Sequence, residues 1–584
     1  MKNPAFFFFL IVPFLLFSQN KYDYNWTLGA GVINIHLGYT FGGTMLNFNR
    51  YPVETSLHSF ATEDPYATIS DKNGNLVAFT DGCLIANRNH ELMLNGDSLN
   101  PGRTYNSYCS PPPFFYPGLQ TNTFVPKPGD DSLYYLFHVR NDDKYRMPMD
   151  LFYSEIDVRG DNGNGEVTKK NQPLVSDSLY MGAFVNACRH ANGRDWWITV
   201  TRRFHSEMHV TLVTPDTIQY MGMRETGFVE VDSGFCCNQT RFTPDGSRYF
   251  RNYPGGMLIL DFDRCTGTFS NPVYWDYLNG WPNASGGIAF SPSGRFLYIG
   301  HGLDIQQYDL WAPDILSSRT IVAEYDGYVA IDPTYFFHAQ LAADGKIYLL
   351  TTSNNDVLHI IHYPERKGLA CQVEQHGLKL RAMGSYFEPN FPNYRLGPVD
   401  GSECDTLDID NLPAANFRWD LEDTLLPLTV TFTDLSSYEP ASWHWDFGDP
   451  ASGMANMSQD TSPVHLFTAA GTYEICLTIC NDFACDTLCR EVTVELPKVN
   501  SSDIEQGMGM RIYPNPAGDI LHIQSIDFPV EFFEIYDAQG RVVFSGTLAG
   551  NHATVEMSRF PPGGYYLRGK AGAQVWQGKF VKGW

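Results

Sequence analysis

One pattern of apolar and polar positions recurs along the first two thirds of the chain. A polar stretch carries a turn glycine, then a polar residue, then an aromatic or aliphatic run. It appears as Ser70-Asp-Lys-Asn-Gly74-Asn-Leu-Val-Ala-Phe79, as His190-Ala-Asn-Gly193-Arg-Asp-Trp-Trp-Ile198 and as Phe242-Thr-Pro-Asp-Gly246-Ser-Arg-Tyr-Phe250. Two more copies are Phe290-Ser-Pro-Ser-Gly294-Arg-Phe-Leu-Tyr298 and Leu341-Ala-Ala-Asp-Gly345-Lys-Ile-Tyr-Leu349, and Pro128-Gly-Asp-Asp-Ser-Leu-Tyr-Tyr135 is a weaker one. Asp-Gly and Asn-Gly supply the positive φ of a tight turn, so each copy predicts a hairpin whose second strand is apolar. The turn glycines at 193, 246, 294 and 345 stand 48 to 53 residues apart. A period near fifty built only of strands predicts a β-propeller with about four strands per blade. Residues 19–398 would hold about seven blades.

The pattern then changes. An acidic linker at 399–411 contains Asp405, Asp408 and Asp410, and a second strand-rich segment follows at 412–496. Four of its cysteines flank the turn Asn481-Asp-Phe-Ala484. Opposed positions in an antiparallel hairpin share one midpoint. The pair Cys476 and Cys489 and the pair Cys480 and Cys485 have the same midpoint, so one register bridges both. Cys476 to Cys480 along one strand would span about 13 Å, beyond the ~7 Å limit for a bridge. A further linker at 497–509 leads to short alternating strands at 510–584, such as Phe533 and Ile535 against Glu534 and Tyr536. The fold class predicted is all-β, a propeller followed by two immunoglobulin-like sandwiches.

Three resemblances add to this reading. Thr431-Phe-Thr-Asp434, Trp443-His-Trp-Asp-Phe-Gly-Asp449, Ser462-Pro-Val-His465 and Gly471-Thr-Tyr473 resemble the polycystic-kidney-disease (PKD) domain. That implies a sandwich with tryptophan and tyrosine in its core and turns at Gly448 and Gly471. Pro514-Asn515-Pro516, Tyr536-Asp537 with Gly540, Gly563-Gly564-Tyr565 and the closing Lys579 and Lys582 resemble, in order, the type A sorting domain of the type IX secretion system. It implies recognition by that machinery, export across a Gram-negative outer membrane and removal of the domain. Phe290-Ser-Pro-Ser-Gly294 resembles the turn of WD-like propellers, while 81–90 and 389–397 resemble propellers of exported surface proteins with the same tail.

The other end of the chain agrees. Met1-Lys2 precedes an apolar run from Ala5 to Phe17, the length of a signal-peptide core rather than of a membrane helix, which predicts a signal peptide at 1–18. No other segment reaches spanning length, so the mature chain is expected to lack a transmembrane segment. The formal charge of −25, without a large basic patch, argues against nucleic acid as a partner. Twelve cysteines in an exported chain are expected to be largely bridged, with vicinal Cys236 and Cys237 in separate bridges.

Candidate chemistry is sparse. The zinc helix, nucleophile elbow and phosphate loop are all missing. His205 and His209 would share a ligand only on a helix, whereas their surroundings read as strands; His359 and His362 point to opposite faces of a strand. Residues 161–166 read as a hairpin turn, and Arg159-Gly-Asp161 carries little weight. No catalytic residue, metal or cofactor is assigned. The leading expectation is a non-enzymatic surface or secreted protein that uses the propeller to bind a protein or glycan, through the central channel or one rim. Competing readings are a propeller hydrolase or lyase acting on extracellular polysaccharide or protein, and a structural part of a surface or motility apparatus.

Overall fold

Each predicted turn glycine adopts the conformation its motif requires. Gly74, Gly193, Gly246, Gly294 and Gly345 have φ between 71° and 89° in a computed structural model of the chain. Each closes the hairpin between the first and second strands of its sheet. The structure describes residues 20–29, 43–58, 67–110, 116–118, 120–144, 147–179, 184–203, 205–228, 239–253, 256–276, 286–352, 355–382, 388–421, 428–494, 510–525, 532–537, 541–547, 552–571 and 574–582. The predicted signal peptide, the 497–509 linker, Gly540, Cys236 and Cys237 lie outside these residues.

The chain divides into two units, 1–414 with 437–439, and 415–436 with 440–584. The first is a propeller of seven sheets, each a meander in sequence order. Blades one and two (25–58 and 67–87) show three strands among the described residues, and blades three to seven (122–176, 186–225, 240–276, 288–324 and 336–379) show four. The first strands of consecutive blades are neighbours, from Asn25–Leu28 and Ala67–Ser70 to Ile288–Phe290 and Phe336–Leu341. Closure between blades seven and one is aromatic: Tyr348 meets both Trp26 and Phe48 edge-on, at 5.9 and 5.8 Å. The inner strands are buried on both faces, as expected of sheets packed between two others, with apolar residues alternating with inward polar ones. Trp26, Leu46, Phe79, Phe124, Trp196 and Phe336 are fully buried there.

The second unit holds two sandwiches. In the first, Phe417–Leu421, Thr429–Asp434 and Val464–Leu466 face Met457–Ser458, Ser442–Asp446, Gly471–Cys480 and Cys485–Val494. Trp445 is fully buried among Phe417, Phe432 and Phe447. Gly448 turns with φ 63°, but Gly471 opens a strand opposite Val494 and is no turn. In the second sandwich, Met510–Tyr513, Ile520–Ser525 and His552–Glu556 face Val542–Gly546, Phe532–Tyr536, Gly563–Ala571 and Gln574–Lys582. Its core contains Leu521, Ile523, Phe533, Ile535, Val555, Leu567 and Phe580.

Candidate functional site

The propeller channel presents an edge problem. First strands of neighbouring blades do not ladder to one another, so their inward backbone groups need other partners. Side chains bridge the gap, some to backbone groups and some to one another. Thr27 and Thr68 share a hydrogen bond of 2.6 Å, Asn186 Nδ2 donates to Thr240 Oγ1 at 2.7 Å, and the Thr240 amide donates to Gln120 Oε1 at 2.8 Å. Gln239 bridges three blades: its Oε1 accepts from the Ile288 amide at 2.6 Å and its Nε2 donates to the Ala339 carbonyl at 3.0 Å.

The chain itself occupies the remaining space. After blade seven, residues 388–396 run along the channel toward the tight-turn end. Asn390 Nδ2 donates to the carbonyls of Val185 (2.7 Å) and Asn122 (3.1 Å). Asn393 Nδ2 donates to Pro244 O at 2.7 Å, and the Tyr394 hydroxyl to Phe124 O at 2.8 Å. Arg395 grips Asp23 through two hydrogen bonds of 2.7 and 2.6 Å, while Phe391 lies against Trp26. Two prolines within 389–392 keep this segment out of any sheet, which frees it to follow the channel. Beside it lies a narrow crevice of about 40 Å³, lined by Asn186, Cys188, Arg241, Thr243 and Asn393 among others. The channel, which with the rims is the default ligand site expected from the sequence, holds a segment of the protein's own chain.

At the other end of the segment, Glu388 is buried. Its Oε1 accepts from Arg241 Nη2 at 2.7 Å and from Gln239 Nε2, and its Oε2 lies 3.6 Å from His338 Nδ1. Burial lowers the pKa of Arg241, opposed by the Glu388 charge beside it. This is an ion pair that ties the segment to blade five.

The residues singled out in the sequence are dispersed. His209 is buried between the Tyr220 hydroxyl (2.8 Å) and Asp177 (3.3 Å), whereas His205 is exposed near Glu207, so the two share no ligand. His359 accepts from the His376 amide and faces Thr334 O, while His362 pairs with Glu374. Arg159 is held by Asp157 through bonds of 2.8 and 2.7 Å, and Asp161 and Asn162 form a positive-φ turn. Among the described residues no group of three or more His, Cys, Asp or Glu could hold a metal ion.

The cysteines divide into local and long-range bridges. Cys476 opposes and bonds Cys489, and Cys480 opposes and bonds Cys485, in one register. Cys83 joins Cys109, and Cys265 joins Cys404 across 139 residues. That last bridge fixes the acidic 399–411 segment to blade five, while the Val399 amide donates to Ala191 O in blade four. Against expectation, Cys188 and Cys371 are free thiols; burial pushes them up to about 12 and about 11. They serve as small core residues.

In the last sandwich the sorting motifs lie on connected strands. Asn515 Oδ1 accepts from the Val581 amide at 2.9 Å and the Ala517 amide donates to Val581 O at 2.6 Å, which brings Pro514-Asn515-Pro516 beside the final strand. Lys582 on that strand is buried, 4.0 Å from Asp519, whereas Lys579 is exposed opposite Tyr566. Gly563 and Gly564 oppose Lys582 and Val581, and Tyr565 stacks on Phe580 and donates to Pro561 O. Asp537 accepts two hydrogen bonds from Arg541. The alternation expected at 533–536 differs in one respect: Glu534 and Tyr536 are buried too, because the Tyr536 hydroxyl donates to Glu534 at 2.6 Å.

These sandwiches match two family models. Residues 413–496 match the PKD domain, and residues 511–583 match the secretion system C-terminal sorting domain. The chain is an exported, multidomain surface protein. Its tail directs it to the cell surface or the extracellular space through the type IX secretion machinery. No helix among the described residues is long and apolar enough to cross a membrane. Among solved structures, the first PKD domain of Epp from Vibrio anguillarum is 31% identical, over 15% of this chain and 96% of that one, with a TM-score of 0.13. A protein from Lactobacillus plantarum is 12% identical over 63% of this chain and 99% of that one, with a TM-score of 0.39. PorZ, a surface component of the type IX secretion system of Porphyromonas gingivalis, is 10% identical over 97% of this chain and 86% of that one, with a TM-score of 0.20. No curated protein sequence matches this exported protein.

Proposed function

We propose that the exported protein is a non-enzymatic binding platform, with the propeller as the recognition module and the PKD domain as spacer or secondary binder. The observation that carries this reading is the channel segment 388–396. Propellers that do chemistry need converging polar groups open to a substrate. Here Gln120 bonds Thr240 and Asn390, Asn186 bonds Thr240, and Asn390, Asn393 and Tyr394 donate to backbone carbonyls of the blades. The buried Glu388 is held by Arg241, an arrangement suited to holding structure together. Recognition then falls to the blade rims.

The test is a pair of assays on the exported protein. Saturable binding of a protein or glycan without turnover is the expected result. Cleavage of any member of a polysaccharide or peptide library, lost on substitution of a propeller residue, would overturn the reading in favour of a hydrolase or lyase.

A further inference from the structure

We infer that the short loop 325–335 between blades six and seven is a preformed docking knob for a protein whose apolar pocket is rimmed by lysine and arginine. The inference rests on the reading of the propeller as a binding platform and names the chemistry of its partner.

The loop is Tyr325-Asp-Gly-Tyr-Val-Ala-Ile-Asp-Pro-Thr-Tyr335, joining the last strand of blade six to the first of blade seven. Its tip is apolar and exposed: Tyr328 by 46%, Val329 by 56% and Ile331 by 53%, with Leu303 at 39% on a turn whose carbonyl accepts from the Tyr325 amide. Burying these side chains elsewhere would be favourable, so a mere connection gains nothing by displaying them.

The loop is also held in shape. Val329 and Pro333 form an antiparallel bridge. Buried Asn355 accepts from the amides of Ile331 (3.1 Å) and Asp332 (2.9 Å) and donates to Thr351 Oγ1 at 3.1 Å. The Tyr325 hydroxyl and Thr334 Oγ1 both donate to Tyr328 O, at 2.6 and 3.1 Å. The Tyr328 ring lies 4.3 Å from that of His376, which meets Thr334 Oγ1 at 3.0 Å. Ordering is therefore complete before any partner arrives, which removes a main opposing term in association.

Charge selects the partner class. Exposed Glu324, Asp326 and Asp332 surround the tip, and the sequence has no Lys or Arg between Arg319 and Lys346. An acidic rim repels anionic lipid and polyanionic glycan, and complements a pocket edged by basic residues. Two aliphatic side chains at the tip suit an apolar protein pocket better than a sugar, which calls for polar groups beside an aromatic ring.

The experiment uses the full chain on the cells that export it. A photo-crosslinking amino acid is placed at position 331 and, as control, at exposed position 57 on blade one. The expected result is a discrete protein adduct from 331 alone, weakened by salt, mapping beside Lys and Arg of the partner, and reduced about tenfold by Val329→Asp. Thermal unfolding of Val329→Asp should match that of the parent, which separates lost docking from lost folding. Absence of a position-specific adduct overturns the proposal, as does an adduct only with a second copy. Binding to phosphatidylethanolamine–phosphatidylglycerol vesicles that is lost in Val329→Asp overturns it in favour of lipid. Ligand binding by the propeller that survives Val329→Asp refutes the knob but leaves the platform, whereas substrate turnover refutes the platform itself.

Discussion

The channel and the 325–335 rim loop solve opposite problems with similar means. Both are irregular segments held by asparagine: Asn390 donates to two blade carbonyls in the channel, and Asn355 accepts from two amides under the loop. In the channel the result is closure, with polar groups matched inside the protein. At the rim it is display, with apolar groups left unmatched. Order alone does not identify a working surface; what an ordered segment leaves unsatisfied does.

Perturbation should separate the two. The largest effect is expected from replacing both Cys265 and Cys404 by serine, since a bridge closing a loop of more than 100 residues contributes about 4–5 kcal/mol. A large fall in the denaturation midpoint of the first unit would be measured. Next comes Asp23→Asn, which strands Arg395 and should destabilise by about 3 kcal/mol in urea titration. Asn390→Ala leaves two buried carbonyls without their donor and should cost about 2 kcal/mol.

Acid should act on two buried histidines of the propeller, one of them beneath the rim loop. Burial lowers His138, placed between Asn100 and Ser154, to about 3, and lowers His359, beneath the rim loop, to about 4. In the unfolded chain each returns to about 6.5. Below that value the unfolded state binds protons that the folded state refuses, so stability falls as pH drops from about 6.5 toward 4. Each histidine contributes about 1.4 kcal/mol per pH unit. Urea midpoints between pH 7 and 4.5 should therefore fall less steeply for His138→Gln than for the parent. The smallest effect is expected at the rim tip: Ile331→Ser should shift stability by less than about 0.5 kcal/mol. A loss comparable to that of Asn390→Ala would dissolve the contrast between closure and display.

Whatever depends on neighbours in sequence could be read directly. The turn glycines could, because positive φ is a local demand, and so could the two bridges of Cys476, Cys480, Cys485 and Cys489, because both ends lie in one hairpin. Cys265 and Cys404 could not, since nothing local relates residues 139 positions apart. The channel segment was visible as the string Pro389 to Gly397, yet its two prolines and lack of periodicity gave no element. Its role emerges only when seven inner strands present unpaired edges to the same space. The rim loop offered a faint signal, three tyrosines and two aliphatics in a stretch without basic residues, but its exposure depends on packing against His376 and Asn355.

The bridge between Cys265 and Cys404 has a mechanical consequence. The PKD and sorting domains follow it in sequence, so tension drawn from the C-terminal side meets Cys404 before it meets the channel segment. Force passes through a covalent bond into blade five and bypasses Arg395, Tyr394 and Asn390. An extracellular protein pulled at that end would keep its propeller ring intact until blade five itself gave way.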